Sequence, residues 1–135
     1  MNKSTSDPKK VFIVILLLQI LLNRSNISTC VSAYGKLVVV LHHAVQLYII
    51  FGSLLFGLHK FHLLVIVIAF VVHKAYGMCP ITIYHNKKCK YKNTESPLKT
   101  FLNDLSPFLN ISPITLYYFV LGLLSIYDVY MINKI

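Results

Sequence analysis

Residues 37–58 read LVVVLHHAVQLYIIFGSLLFGL, a stretch of twenty-two positions with no charged side chain, interrupted only by His42, His43, Gln46 and Ser53. A helix rises 1.5 Å per residue, so about 20 such residues cross a hydrocarbon core of ~30 Å. The stretch is apolar all round and has no alternation of period 2, which argues for a helix in lipid or in a bundle rather than a strand. A second run, Phe61 to Tyr76, reaches spanning length when His62 and Cys79 are its ends. Between the two, Gly57-Leu58-His59-Lys60 is short and polar enough to turn an antiparallel pair. Gly77 and Cys79-Pro80 end the second run, because glycine accepts left-handed angles and proline restricts the residue before it. A third run, Ile114 to Ile132, is broken late by Asp128. Tyr117 and Tyr118 near one end of it and Tyr127 and Tyr130 near the other suit a membrane interface, and equally suit ordinary packing.

Composition agrees. Of 135 residues, 56% are hydrophobic and 13% charged, and mean hydropathy is +0.68. A soluble domain carries about 25% charged residues, so this chain has too few to clothe a globule in water. Low hydrophobicity is the signature of disorder, which is thereby excluded. The net charge of +9 comes from 13 basic residues against 4 acids. Only Arg24 among them is an arginine, so nucleic acid is not an expected partner; a bilayer with anionic headgroups is. Twelve lysines to one arginine also fit an AT-rich genome, which suits a viral or parasitic source.

The expected fold is therefore an all-α integral membrane protein, a bundle of three to four transmembrane helices with a short interfacial helix. Residues 1–36 form an N-terminal polar tail and a short hydrophobic helix over Val11 to Leu22. That helix is interfacial, a fourth span or a signal anchor, or it is part of a cleaved leader ending near Val31-Ser32-Ala33. Residues 37–135 form the membrane domain, with spans at about 37–58, 61–79 and 114–132 and a basic loop at 80–99. Leu98, Phe101, Leu102 and Leu105 fall on one helical face, giving an interfacial helix ended by Ser106-Pro107. Ser53 and Gly57, four apart, allow close helix approach, so other membrane helices, including a second copy of the chain, are expected partners.

Lysine placement gives an orientation. With three spans and residues 1–36 inside, the inside holds Lys3, Lys9, Lys10, Arg24, Lys36, Lys74, Lys87, Lys88, Lys90, Lys92 and Lys99, against Lys60 and Lys134 outside. With four spans and the N-terminus outside, the count is 8 inside and 5 outside. The loop carrying Lys87, Lys88, Lys90 and Lys92 is cytoplasmic in both arrangements and would contact anionic lipid. Asn23 and Asn26 match the glycosylation pattern and would report a lumenal segment.

Histidines are the main candidates for chemistry. His62 and His73, eleven apart, lie about 20° apart round a helix and so share a face. Counting from the turn, His42 or His43 lies within a helical turn of His73 in depth. Paired histidines on facing helices are how a bundle holds haem iron or a metal, so His42, His43, His73 and His62 form a candidate haem b site. Cys79, His85 and Cys89 form a candidate zinc site, although their spacing matches no common pattern; as cytoplasmic cysteines, Cys79 and Cys89 would stay reduced. The leading expectation remains that there is no cofactor and that the histidines bond water, headgroups or neighbouring helices. No phosphate loop, Gly-x-Ser-x-Gly or His-Glu-x-x-His occurs, and four scattered acids offer no carboxylate pair. The expected function is thus a non-enzymatic structural or interaction component of a membrane. The alternatives are a haem- or metal-binding redox protein and a small oligomeric channel or carrier lined by Asp128.

The hairpin of Leu37 to Leu58 and His62 to Tyr76, followed by Cys79-Pro80-Ile81-Thr82 and then Asn86, resembles a family of small, mostly bacterial membrane proteins. These carry Cys-Pro-Leu-Thr-x-x-Glu-Asn after a transmembrane hairpin. Thr82, Asn86 and Cys89 also fit a similar pattern in small membrane proteins of large DNA viruses. The resemblance covers roughly residues 37–132, with His85 where the bacterial pattern has glutamate. It implies a helical membrane fold and no activity. On mechanical grounds the motif residues Cys79, Pro80, Thr82 and Asn86 would cap the second helix of the hairpin and pin the loop.

Overall fold

The structure is a computed structural model that describes residues 7–22, 32–90 and 101–134. Asn23, Asn26, Lys92, Leu98 and Lys99 lie outside the described residues, as do the expectations placed on them. Among the described residues every regular element is a helix: α1 Pro8–Leu22, α2 Ala33–Phe56, α3 His59–Tyr76, α4 Pro80–Cys89, α5 Phe101–Leu109 and α6 Pro113–Lys134. Three of these, α2, α3 and α6, are long and apolar enough to cross a membrane.

Each span begins and ends on local chemistry. Ser32, in extended conformation, accepts a hydrogen bond from the Gly35 N–H and starts α2 four residues earlier than the apolar run suggests. Gly57 ends α2 at φ 65° and donates its N–H to the Ser53 carbonyl. Gly57 is thus a helix stop, not half of a small-residue packing face. Gly77 ends α3 at φ 70°, and Ser112, whose Oγ accepts from the Thr115 N–H at 3.2 Å, opens α6 ahead of Pro113.

α2 is the central span, with 44% of its most apolar window buried against 17% for α3 and for α6. α3 and α6 turn large apolar side chains outward, including Leu64, Ile68, Val71, Phe119, Leu123 and Ile126, as helices facing lipid do. Inside, Ile49, Ile66 and Leu121 join α2, α3 and α6. α6 runs antiparallel to α3, since Tyr118 meets His73 and Asp128 meets His62. The hairpin turn and the C-terminus of α6 therefore share one end of the bundle, and α4 and α5 lie at the other.

α1 packs antiparallel along α2, with Phe12 against Phe56 and Gln19 bonded to His43. Lys9 and Lys10 thus sit at the hairpin end with Lys60 and Lys134, rather than with the α4 lysines. At 15 residues α1 covers about 22 Å, less than a full core of ~30 Å. Among the described residues, Lys36, Lys74, Lys87, Lys88 and Lys90 thus lie at the α4 end, against Lys9, Lys10, Lys60 and Lys134 at the hairpin end.

Two segments differ from expectation. The basic loop after Cys79-Pro80 is in its first half a helix: Pro80 stands in its first turn, and its inner stripe of Thr82, His85, Asn86 and Cys89 is buried against α2 and α3. The stripe is polar, so an apolar pattern could not reveal it. α5 runs through Pro107 to Leu109 instead of ending there. Pro107 cannot donate to the Asn103 carbonyl four residues back, and the Ser106 hydroxyl donates to that oxygen instead, at 3.2 Å.

Gly52 is a packing requirement. A Cβ there would meet the Tyr48 ring at 2.8 Å, and that ring is held against Phe56, Phe61 and His62. Gly52→Ala gains about 1 kcal/mol of helix propensity and loses about 1–3 kcal/mol to overpacking. We expect a net loss of about 1 kcal/mol, read as a lower unfolding midpoint in detergent.

Candidate functional site

Two polar clusters lie in the bundle, one at each end. At the hairpin end, α6 brings Asp128, fully buried, against Ser53 of α2 and His59 and His62 of α3. The Ser53 hydroxyl donates to Asp128 Oδ1. His59 Nδ1 lies 2.7 Å from Ser53 Oγ and 3.1 Å from Asp128 Oδ1, and its N–H is shared between them. His62 Nδ1 lies 2.5 Å from Asp128 Oδ2, and its Nε2 lies 2.9 Å from the Ile49 carbonyl.

The proton inventory of His62 follows from those partners. A carbonyl only accepts, so Nε2 carries a hydrogen. One further proton must lie between Nδ1 and Oδ2, on nitrogen or on oxygen. In either case the His62–Asp128 pair is neutral overall, which is what a dry site favours, since an isolated buried charge is expensive. With both ring nitrogens engaged, His62 is not a cofactor ligand, contrary to the expectation that grouped it with His42, His43 and His73. Asp128 faces its own bundle.

The second cluster lies at the α4 end. His42 and His43 are fully buried on α2. His42 Nε2 meets Thr82 Oγ1 at 3.3 Å, and Gln19 of α1 donates to His43 Nδ1 at 3.1 Å. Thr82 therefore ties α4 to α2, not to a freed carbonyl at the end of α3. His85 and Asn86 are buried beside them, with His85 Nδ1 3.5 Å from Asn86 Oδ1. Burial pushes the His85 ring below the ordinary imidazole range, and its hydrogen bond with Asn86 opposes that only in part, so His85 is neutral near pH 7. His73 Nδ1 pairs with the Tyr118 hydroxyl at 2.8 Å, and its ring packs on Tyr117. These two tyrosines thus serve packing as well as any interface.

A cavity of about 350 Å³ opens between α2, α3, α4, α5 and α6 at this end. His42, Gln46, His73, Cys79, Thr82 and Asn103 are its polar lining, and Val45, Ile49, Met78, Leu102 and Ile114 are among its apolar walls. The depth argument that paired His42 or His43 with His73 thus leads to one wall of one cavity, with His42 as the partner. His43 turns away to α1. The His42 Nδ1 and Gln46 Oε1 atoms are buried without a protein hydrogen bond.

The candidate zinc site does not form. Cys79 precedes α4 and Cys89 closes it, about 15 Å apart along the helix axis. Among the described residues no group of three His, Cys, Asp or Glu side chains is arranged to hold a metal ion. Cys89 is half of a disulfide, whereas Cys79 is free, so the expectation that both stay reduced fails for Cys89. Lys87, Lys88 and Lys90 are exposed on the far side of α4, and the Lys88 ammonium lies over the rings of Tyr34 and Tyr84.

Ser53, His59 and Asp128 as a unit, and the partners Gln19 and Gln46, were not singled out by sequence. The available signal was Asp128 itself: an acid within a span needs a partner, and an antiparallel third helix puts residue 128 level with the start of α3. Comparison with family models, curated proteins and solved structures yields no match for this chain.

Proposed function

We propose that this chain is a non-enzymatic, multi-pass structural or interaction component of a membrane, seated with its α4 end against anionic headgroups. The observation that carries this reading is the exposed row Lys87, Lys88 and Lys90 on a short helix at the end of a bundle whose α3 and α6 faces are apolar. Lys36 and Lys74 lie at the same end. Lysines near an anionic surface contribute about 1 kcal/mol each, or roughly fivefold in lipid preference. In nanodiscs containing phosphatidylserine, the protein should enrich labelled phosphatidylserine at its boundary. The Lys87→Ala/Lys88→Ala/Lys90→Ala variant and 0.5 M salt should each remove most of that enrichment. An enrichment indifferent to both would overturn the reading.

The lysine distribution favours a cytoplasmic α4 face. The reverse orientation, with the α4 face outside, is the alternative. Labelling of a Lys87→Cys variant by an impermeant maleimide in sealed right-side-out vesicles separates the two. Labelling without lysis assigns the face outside; labelling only after lysis assigns it to the cytoplasm.

A further inference from the structure

We propose that the cavity between α2 and the α4–α5 cap is a binding site for an uncharged amphiphile with a hydroxyl-bearing head, drawn from the surrounding bilayer. This goes beyond the membrane-component reading and does not depend on the lysines.

Three observations converge. Size comes first: about 350 Å³ falls within the 300–1,000 Å³ range of small-molecule pockets. The second is polar demand. His42 is 2% exposed and lines the cavity, and its Nδ1 has no partner; Oε1 of Gln46, one turn along the same helix, is also buried and unpartnered. Buried polar atoms are nearly always satisfied, so two unpartnered ones on neighbouring residues that line the cavity give it unused hydrogen-bonding capacity. The third is charge. No Lys, Arg, Asp or Glu lines the cavity, so an anionic or cationic head would be desolvated there without a counter-charge. A hydroxyl donates to the Gln46 amide oxygen, and a hydroxyl also suits the His42 imidazole nitrogen whichever ring nitrogen carries the hydrogen, at no such cost. An acyl or isoprenoid chain would lie along Val45, Ile49, Leu102 and Ile114. The cavity sits at one end of the spans, the depth at which the head of an amphiphile resides.

The test uses the full chain in phosphatidylcholine nanodiscs with a trace of photoactivatable monoacylglycerol, or of the matching fatty acid or lysophosphatidic acid. Adducts are mapped by mass spectrometry. The neutral probe should label Met78, Leu102 and Ile114 at least fivefold more than either anionic probe. Gln46→Leu, and Ala69→Leu, which narrows the cavity, should each cut that labelling at least fivefold. His42→Phe should do the same. Leu123→Ala on the lipid-facing side of α6 should leave it unchanged. Because Gln46→Leu and Ala69→Leu leave the His42–Thr82 contact in place, the test stands even where His42→Phe disturbs folding. Equal labelling by neutral and anionic probes, adducts confined to outer residues such as Leu64 and Ile126, or labelling unaffected by the cavity variants would overturn the proposal. So would a haem absorption band in the purified protein, since haem would then be the occupant beside His42 and His73.

Discussion

Asp128→Ala is expected to destabilise the bundle by roughly 3 kcal/mol, while Asp128→Asn costs about 1 kcal/mol or less. Ser53 and His59 donate to the Asp128 side chain, and His62 shares a proton with it. With alanine, Ser53 can turn to a helix carbonyl and His59 can still donate to Ser53 Oγ. His62 has no such recourse: its Nε2–H stays on the Ile49 carbonyl, its Nδ1 loses its only partner, and a carboxylate-sized void opens beside it. Asparagine avoids both losses. Its Oδ1 accepts from Ser53 and His59, and its amide N–H donates to His62 Nδ1, now a bare acceptor on a neutral ring. The difference between the two variants depends on the neutrality of the His62–Asp128 pair. If the site required a negative charge, asparagine would be as damaging as alanine. Unfolding midpoints of both variants in one detergent check this, and equal losses would refute the shared-proton assignment.

The fold was largely legible because lipid imposes a simple rule on composition. Leu37 to Leu58 and the two later runs had to be helices, and Gly57 and Gly77 marked their stops. The starts were less legible. Lys36 and Gly35 break the apolar pattern, yet Ser32 caps the helix beyond them, because a cap is specified by one hydrogen bond and not by hydropathy. α4 is not legible as a helix because its buried stripe is polar: Thr82 is held by His42 of α2, a tertiary partner that no local pattern predicts. Pro107 was read as a stop because the compensating Ser106 hydroxyl bond depends on three-dimensional geometry. At the candidate site, depth counting along the hairpin pairs His42 or His43 with His73, and His42 and His73 line one cavity. The same counting along an antiparallel last span places Asp128 level with His62. Ser53 was noticed for its size, whereas its hydroxyl is what the fold uses.

Replacing both members of the pair, His62→Leu with Asp128→Leu, is expected to cost less than the two single replacements summed, by at least about 2 kcal/mol. Each single change strands its partner. His62→Leu leaves Asp128 Oδ2 in a dry site without the shared proton's other holder, and Asp128→Leu leaves His62 Nδ1 unpaired. The double change removes both groups together, and what remains can satisfy itself. Ile49 loses only the imidazole bond, and its carbonyl still lies one helical turn before Ser53. Ser53 can donate to that carbonyl and still accept from His59 Nδ1, 2.7 Å away. Two leucines then fill the volume with apolar contact. If stability survives, what the polar pair contributes is register: it fixes residue 128 opposite residue 62 at the hairpin end, where the His73–Tyr118 hydrogen bond at the other end of the two helices leaves the pairing least constrained. Cysteines at positions 66 and 121, which belong to one core cluster, should cross-link efficiently in the parent chain. In the double variant the same oxidation should also join position 66 to 117 or 125, one turn away. A coupling near zero, or a double variant that cross-links only 66 to 121, would show that packing alone sets the register and that the polar pair serves another purpose.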